Sequence, residues 1–135
     1  MLRFVAGAFV VLHGLVHLLY FAQSRRLVEL QPGMVWPDGS WAFSALLGEK
    51  ATRVLASTCC VVAAIGFAVG GVAILARQAW WRWVVLGATA FSTVVLILLW
   101  DGKLERLDDQ GGIALLINVV IVAGVLILPW SSLGL

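Results

Sequence analysis

Charged residues are scarce in this chain: Asp, Glu, Lys and Arg together account for 12% of its 135 residues. A water-soluble domain has about a quarter charged residues and about half apolar ones, whereas 62% are hydrophobic here. This composition excludes an ordinary water-soluble globule and indicates an integral membrane protein. The nine Lys and Arg residues are scattered and form no basic stripe, so no nucleic-acid partner is expected.

Cysteine is also scarce, and the motifs of several enzyme classes are missing. The two cysteines, Cys59 and Cys60, are adjacent. On a helix their side chains diverge by about 100°, so we expect two small core residues and no disulfide between them. No CxxC pair, phosphate-binding glycine loop or Ser-His-Asp motif is present, and Gly14 follows His13 where a zinc protease needs Glu.

Long apolar runs are what the sequence has in abundance, and four of them predict transmembrane helices. About 20 apolar residues, each rising about 1.5 Å, cross a hydrocarbon layer about 30 Å thick. The runs cover residues 4–21, 54–76, 83–100 and 112–130. They are too long for strands and show no alternating pattern. We therefore expect an all-α fold, an integral membrane four-helix bundle that forms a single domain over residues 1–135.

The connections divide the protein into two faces. Four spans place both termini and residues 77–82 on one side, the terminal face, and residues 24–53 and 101–111 on the other, the loop face. The number of cations favours a cytoplasmic loop face, whereas the short basic terminal segments favour cytoplasmic termini. In the first connection, Ser40 is predicted to cap a short interfacial helix at 41–47, after the Trp-Pro-Asp-Gly-Ser-Trp turn.

Polar residues inside the spans lie in the half of the membrane nearer the loop face. His13, His17 and Tyr20 share one face of the first helix, since they are spaced by four and three residues. Because intramembrane polar groups are costly, they point to function. We predict a polar pocket whose ligand-binding residues are His13, His17, Tyr20, Ser57, Ser92 and Asn118, with Arg53 and Asp101 at its mouth. The alternative is purely structural: Ser and Thr bond their own helix, while His and Asn bond between helices.

The two histidines could support several kinds of chemistry. Spaced by four residues, His13 and His17 could chelate a metal ion, with Asp101 as a further ligand. One histidine could be the axial ligand of a haem or hydrogen-bond a quinone. Gly66, Gly70 and Gly71 form a small-residue surface for close helix packing, within the bundle or between subunits of a homo-oligomer.

Three sequence motifs carry a family resemblance. They are the run LHGLVHLLYF at residues 12–21, WPDGSW at residues 36–41 and LWDG at residues 99–102. With these motifs the chain resembles small uncharacterised bacterial four-helix membrane proteins, and its size and span number are similar to the DoxX-like group. The resemblance implies a four-helix bundle in the bacterial inner membrane and brings no catalytic residues with it.

Three functions follow as hypotheses. The first is binding of a small apolar or amphipathic molecule, a lipid or a quinone, in the polar pocket. The second is a structural or accessory role in a larger membrane complex. The third is a membrane enzyme that uses the histidines with a metal or for redox chemistry. The expected surroundings are membrane lipids, in the bacterial cytoplasmic membrane.

Overall fold

A computed structural model describes residues 1–28 and 32–130, and this part of the chain contains helices and no strand. The helices are α1 (Leu2–Ser24), α2 (Ser44–Leu75), α3 (Trp81–Leu99) and α4 (Gly112–Ile127), with a short 3-10 helix at Asp108–Gln110. By length and composition α1, α2 and α3 can each cross a membrane, whereas α4 is apolar but has 16 residues. The predicted all-α membrane bundle of four helices is confirmed.

The helix boundaries differ from the predicted spans at several ends, and the differences in α2 and α4 have a local cause. Helix α2 begins ten residues before the predicted start at 54, and a break at Gly48, where φ is +74°, separates its first turn. That turn lies within the predicted interfacial helix, and Ser40 Oγ accepts a hydrogen bond from the Phe43 amide 3.1 Å away. Helix α4 ends three residues before 130. Pro129 has no amide hydrogen and disfavours helical geometry at Leu128, which is extended.

The first connection is fastened to the end of α3. The Trp41 amide donates to the Trp100 carbonyl at 2.8 Å, and the Trp41 indole donates to the Ile97 carbonyl at 2.8 Å. Ser40 Oγ donates to the Leu98 carbonyl at 2.8 Å. The last carbonyls of a helix have no partner within it, so these bonds satisfy α3 while they hold the connection against the loop face.

The predicted glycine surface of α2 lies inside the bundle. A Cβ atom on Gly66 would be 2.9 Å from Ala88 Cβ, and one on Gly70 would be 2.7 Å from a methyl carbon of Val85. Both contacts are with α3. Gly71 instead faces α1, where a Cβ would be 2.7 Å from the Gly7 carbonyl oxygen. The small residues therefore let α2 approach both neighbours closely, which is one of the two roles considered for them.

Candidate functional site

Four of the predicted site residues form one buried hydrogen-bond network between α1, α3 and α4, here called the histidine network: His13, His17, Ser92 and Asn118. His13 Nε2 lies 2.7 Å from Asn118 Oδ1, and His17 Nε2 lies 2.7 Å from Ser92 Oγ. Asn118 Nδ2 donates to Ser92 Oγ at 3.0 Å, which joins the two pairs. A further bond from Asn118 Nδ2 reaches Thr93 Oγ1 at 3.0 Å. One asparagine thus ties α4 to both neighbouring helices.

With neutral imidazoles, the geometry fixes where the hydrogens of the network lie. His17 Nδ1 is 3.1 Å from the His13 carbonyl oxygen, which only accepts, so Nδ1 carries the hydrogen. His17 Nε2 then accepts from the Ser92 hydroxyl, and Ser92 in turn accepts from Asn118 Nδ2. The remaining Asn118 Oδ1 accepts from His13 Nε2–H. His13 Nδ1 is left without a partner among the described residues.

The network is closed to its surroundings in this structure. Each of its four side chains is at most 2% exposed. The ring of Phe67, from α2, lies 4.6 Å from the His13 ring and 5.2 Å from the His17 ring, centroid to centroid. Gly14 lets α2 come this near, since a Cβ there would be 3.0 Å from Phe67 Cβ. The histidine network is therefore packed as part of the core.

Replacing Asn118 with leucine is expected to lower the free energy of unfolding by about 1–2 kcal/mol, because it removes three interhelical hydrogen bonds worth about 0.6 kcal/mol each. Thr93→Val removes one of these bonds and should cost less. Val119→Leu, at the neighbouring exposed position, is the control. Unfolding by denaturant in detergent measures all three, and equal stability of Asn118→Leu and the control would contradict the network's role.

Aromatic rings continue from the network towards the loop face. The Tyr20 ring lies 6.5 Å from the His17 ring and 5.6 Å from the Trp36 ring. Tyr20 also donates its hydroxyl to the Asp108 carbonyl at 3.4 Å, and Gln23 Nε2 donates to the Asp109 carbonyl at 3.3 Å. The end of α1 is thereby joined to both connections of the loop face.

A pocket of about 280 Å³ lies between these two connections. We call it the loop-face pocket. It is bounded by residues 33–36 on one side and by residues from Asp101 to Gln110 on the other. Trp36 forms part of its wall and is only 3% exposed. The Trp36 indole N–H has no acceptor among the described residues. Of the predicted mouth residues, Asp101 belongs to this pocket.

Arg53, the other predicted mouth residue, binds Asp38. Arg53 Nε lies 2.7 Å from Asp38 Oδ1, and Arg26 Nη2 lies 2.7 Å from Asp38 Oδ2. Burial of the Asp38 carboxyl would raise its pKa, but the hydrogen bonds from Arg53 and Arg26 outweigh this and hold the pKa below its usual range. Asp38 therefore joins the end of α1 to the beginning of α2, a role that its position in a turn did not reveal.

The Asp38 ion pairs predict a pH dependence of stability. A carboxyl whose pKa is lowered by folding stabilises the fold above the unfolded value, about 3.9, and this contribution is lost as the pH falls through the folded pKa. We expect Asp38→Asn to lose about 1 kcal/mol at pH 6, since the groups are partly solvated. The difference from wild type should shrink towards pH 3. Asp108→Asn, at an exposed position that forms no ion pair with another described residue, serves as control. A difference between Asp38→Asn and wild type that stays constant with pH would contradict the assignment.

Two predicted groupings are not assembled in this structure. Ser57 Oγ donates to the Val54 carbonyl of its own helix at 2.9 Å and does not join the histidine network. The predicted metal set of His13, His17 and Asp101 is also not brought together, because no three His, Cys, Asp or Glu side chains in the described ranges lie close enough to hold a metal ion. The reason is that His13 bonds Asn118 and His17 bonds Ser92, whereas Asp101 lies at the loop-face pocket.

Several residues of the site were missed by the sequence interpretation. The sequence predicts Trp36 only as part of a turn, and among the charged residues of 101–111 it predicts a site role only for Asp101. The sequence Trp-Pro in a turn gives no signal that the tryptophan side chain is buried. Phe67 was one of many apolar residues in α2, and only the structure shows that it packs against both histidines.

Comparisons with known protein families, with curated proteins and with solved structures found no match. The functional interpretation therefore depends on the geometry of the histidine network and the loop-face pocket.

Proposed function

We propose that the protein is a multi-pass protein of the bacterial cytoplasmic membrane that binds an amphipathic lipid, with the lipid's polar head in the loop-face pocket. The apolar helices and the resemblance to DoxX-like proteins support this setting. The proposed binding site differs from the one predicted from the sequence, because it lies between the two connections of the loop face and not at the buried histidines. The histidine network and Tyr20 then lie on the inner side of Trp36, where they support the pocket and do not contact the ligand.

The buried Trp36 indole N–H carries this proposal. A buried donor without an acceptor costs about 1–3 kcal/mol, so most such groups in native proteins are hydrogen-bonded. Trp36 also lines the loop-face pocket, so a small movement of this wall on binding would let an oxygen atom of a ligand accept its hydrogen. A ligand that supplies this oxygen would remove that cost on binding.

The size and surroundings of the pocket favour an amphipathic ligand. Small-molecule pockets measure about 300–1,000 Å³, so about 280 Å³ accommodates a head group and not a whole lipid. Exposed aliphatic side chains lie near the loop-face ends of the neighbouring helices, Leu19 on α1 and Ile113 and Leu116 on α4. They provide an apolar surface for chains that extend from the head group into the membrane.

The charged wall favours a lipid over a quinone. Five charged side chains contribute to the pocket: Asp101, Lys103, Glu105, Arg106 and Asp109. A quinone offers neutral carbonyl oxygens, which match the Trp36 donor but leave these charges without counterparts. An ionic head group interacts with both.

Native mass spectrometry of the gently extracted protein tests the proposal. We expect wild type to retain one lipid per chain and Trp36→Phe to lose at least about 70% of it, since loss of a hydrogen bond worth about 1 kcal/mol lowers affinity about fivefold. The control is Trp83→Phe, because Trp83 is 78% exposed on the terminal face. Equal retention by the two variants, or no lipid on wild type, would overturn the proposal.

A further inference from the structure

The charges of the loop-face pocket are not neutralised by each other. Two cationic and three anionic side chains line it, yet none forms an ion pair within 4.0 Å with another residue of the described ranges. Elsewhere on the same face, Asp38 binds two arginines directly. Residues with charges of both signs therefore line the pocket, together with Trp36.

Hydrogen bonds hold parts of this charged wall in place. Asp101 accepts from the Lys103 amide at 2.8 Å, and its own amide donates to Gln110 Oε1 at 3.1 Å. The Arg106 guanidinium donates to the Pro32 carbonyl. Gly33 leaves room for that guanidinium, because a Cβ there would be 2.5 Å from Arg106 Nη1. Asp101 and Arg106, both from the third connection, are thus held in place by hydrogen bonds that involve the backbone.

From this arrangement we propose that the head group is a zwitterion, with a phosphate-type anion and an ammonium group. The inference rests on the proposed function, whose site it shares. The anionic oxygen accepts from the Trp36 indole and lies near the Lys103 ammonium. The ammonium group lies near the carboxylates of Glu105 and Asp109. Each charge of the ligand therefore meets the opposite charge of the wall.

Head groups with a single sign of charge fit less well. The wall carries two positive and three negative charges. A purely anionic head satisfies Trp36 and Lys103 but faces three carboxylates. A purely cationic head satisfies the carboxylates but leaves the Trp36 N–H without an acceptor. Because placing like charges next to each other is costly, a zwitterion matches the lining of this pocket better than a head group with one sign of charge.

The same chemistry occurs in a membrane phospholipid and in a free water-soluble compound, and the experiment separates these sources. The full-length protein is exchanged into mixed micelles that contain equal amounts of phosphatidylethanolamine and phosphatidylglycerol, and native mass spectrometry counts the lipid retained. A parallel sample contains phosphatidylglycerol micelles with added free phosphoethanolamine. We expect phosphatidylethanolamine to be retained at least about tenfold over phosphatidylglycerol, and free phosphoethanolamine to bind much more weakly.

Two neighbouring acids provide a matched pair of variants. Asp109 lines the pocket, whereas Asp108, one residue earlier, is exposed and does not. Asp109→Asn should reduce the preference for phosphatidylethanolamine several-fold. Glu105→Gln should have the same effect, and it replaces Asp109→Asn in the experiment if that variant does not fold. Asp108→Asn makes the same change of charge and should retain the wild-type preference.

The outcomes distinguish this inference from the proposed function. Retention of phosphatidylglycerol equal to or above that of phosphatidylethanolamine overturns the zwitterion and leaves lipid binding intact. Equal effects of Asp109→Asn and Asp108→Asn also overturn it. Retention of neither lipid overturns the proposed function, and binding of free phosphoethanolamine alone would assign the zwitterion to a water-soluble compound and contradict a lipid.

Discussion

Replacing Phe67 with alanine is expected to lower the free energy of unfolding by about 3–5 kcal/mol, the usual cost of removing a buried aromatic ring. Phe67 is completely buried and contacts the rings of both His13 and His17. Its loss would leave a cavity beside the histidine network. The remaining side chains cannot fill this space without breaking hydrogen bonds that Asn118 and Ser92 make to the histidines.

Phe91 provides the control for this experiment. It lies on α3, one residue before Ser92, and is 36% exposed. Phe91→Ala removes the same atoms from a site that already contacts the surroundings, so we expect a loss of about 1 kcal/mol or less. Denaturant unfolding in detergent gives both values. Equal losses for the two variants would contradict the central packing role of Phe67.

Replacing Gly71 with alanine is expected to cost about 3 kcal/mol, at the upper end for overpacking. The added Cβ would be 2.5 Å from a Val11 methyl carbon and 2.7 Å from the Gly7 carbonyl oxygen. A side chain can change rotamer, but the Gly7 carbonyl belongs to the backbone of α1. Helix α1 would therefore have to move away from α2, which would also disturb His13 and His17.

Gly124 offers a matched control on α4, where a Cβ would meet nothing within 4 Å. Alanine is favoured over glycine in a helix by about 1 kcal/mol, so Gly124→Ala should leave stability unchanged or raise it. The shift of the thermal unfolding midpoint in detergent measures both variants. If Gly71→Ala were as stable as Gly124→Ala, this result would contradict the close packing of α1 against α2 at Gly71.

The sequence predicted the helices and the grouping of the polar core well. Apolar runs identify the spans because the membrane imposes a minimum length of apolar chain, and helical spacing places His13 and His17 on one face. Their depth along the helices matches that of Ser92 and Asn118, which the structure joins to them. Ser57 has a similar depth, but its hydroxyl is satisfied by its own helix. Depth alone cannot distinguish these two outcomes.

The loop-face pocket could not be predicted in the same way. Its walls come from the first and third connections, which are far apart in the sequence. Periodicity gives no information on how two irregular segments pack. The ion pairs of Asp38 with Arg26 and Arg53 could not be predicted for the same reason, because the three residues belong to different structural elements. The sequence predicts both Arg53 and Asp101 at the mouth of the polar pocket, whereas in the structure Arg53 binds Asp38 and Asp101 lines the loop-face pocket.

The histidine network and the loop-face pocket have different roles in this account. The network is closed and hydrogen-bonded, so it stabilises the arrangement of α1, α3 and α4. The pocket is lined by charged residues of both signs and by Trp36, whose indole N–H has no acceptor among the described residues. Tyr20 lies between the two, in contact with the rings of His17 and Trp36. Through these ring contacts the packed core supports the Trp36 side of the loop-face pocket.

The indole N–H resonance of Trp36 reports directly on lipid binding in the loop-face pocket. In a two-dimensional proton-nitrogen spectrum of the full-length protein in detergent, Trp36→Phe identifies this signal among the seven tryptophans. Titration with phosphatidylethanolamine in mixed micelles should move it downfield, because the N–H gains an acceptor, and leave the Trp83 signal in place. An unchanged Trp36 signal at saturating lipid, or equal shifts of both signals, would contradict lipid binding in the loop-face pocket.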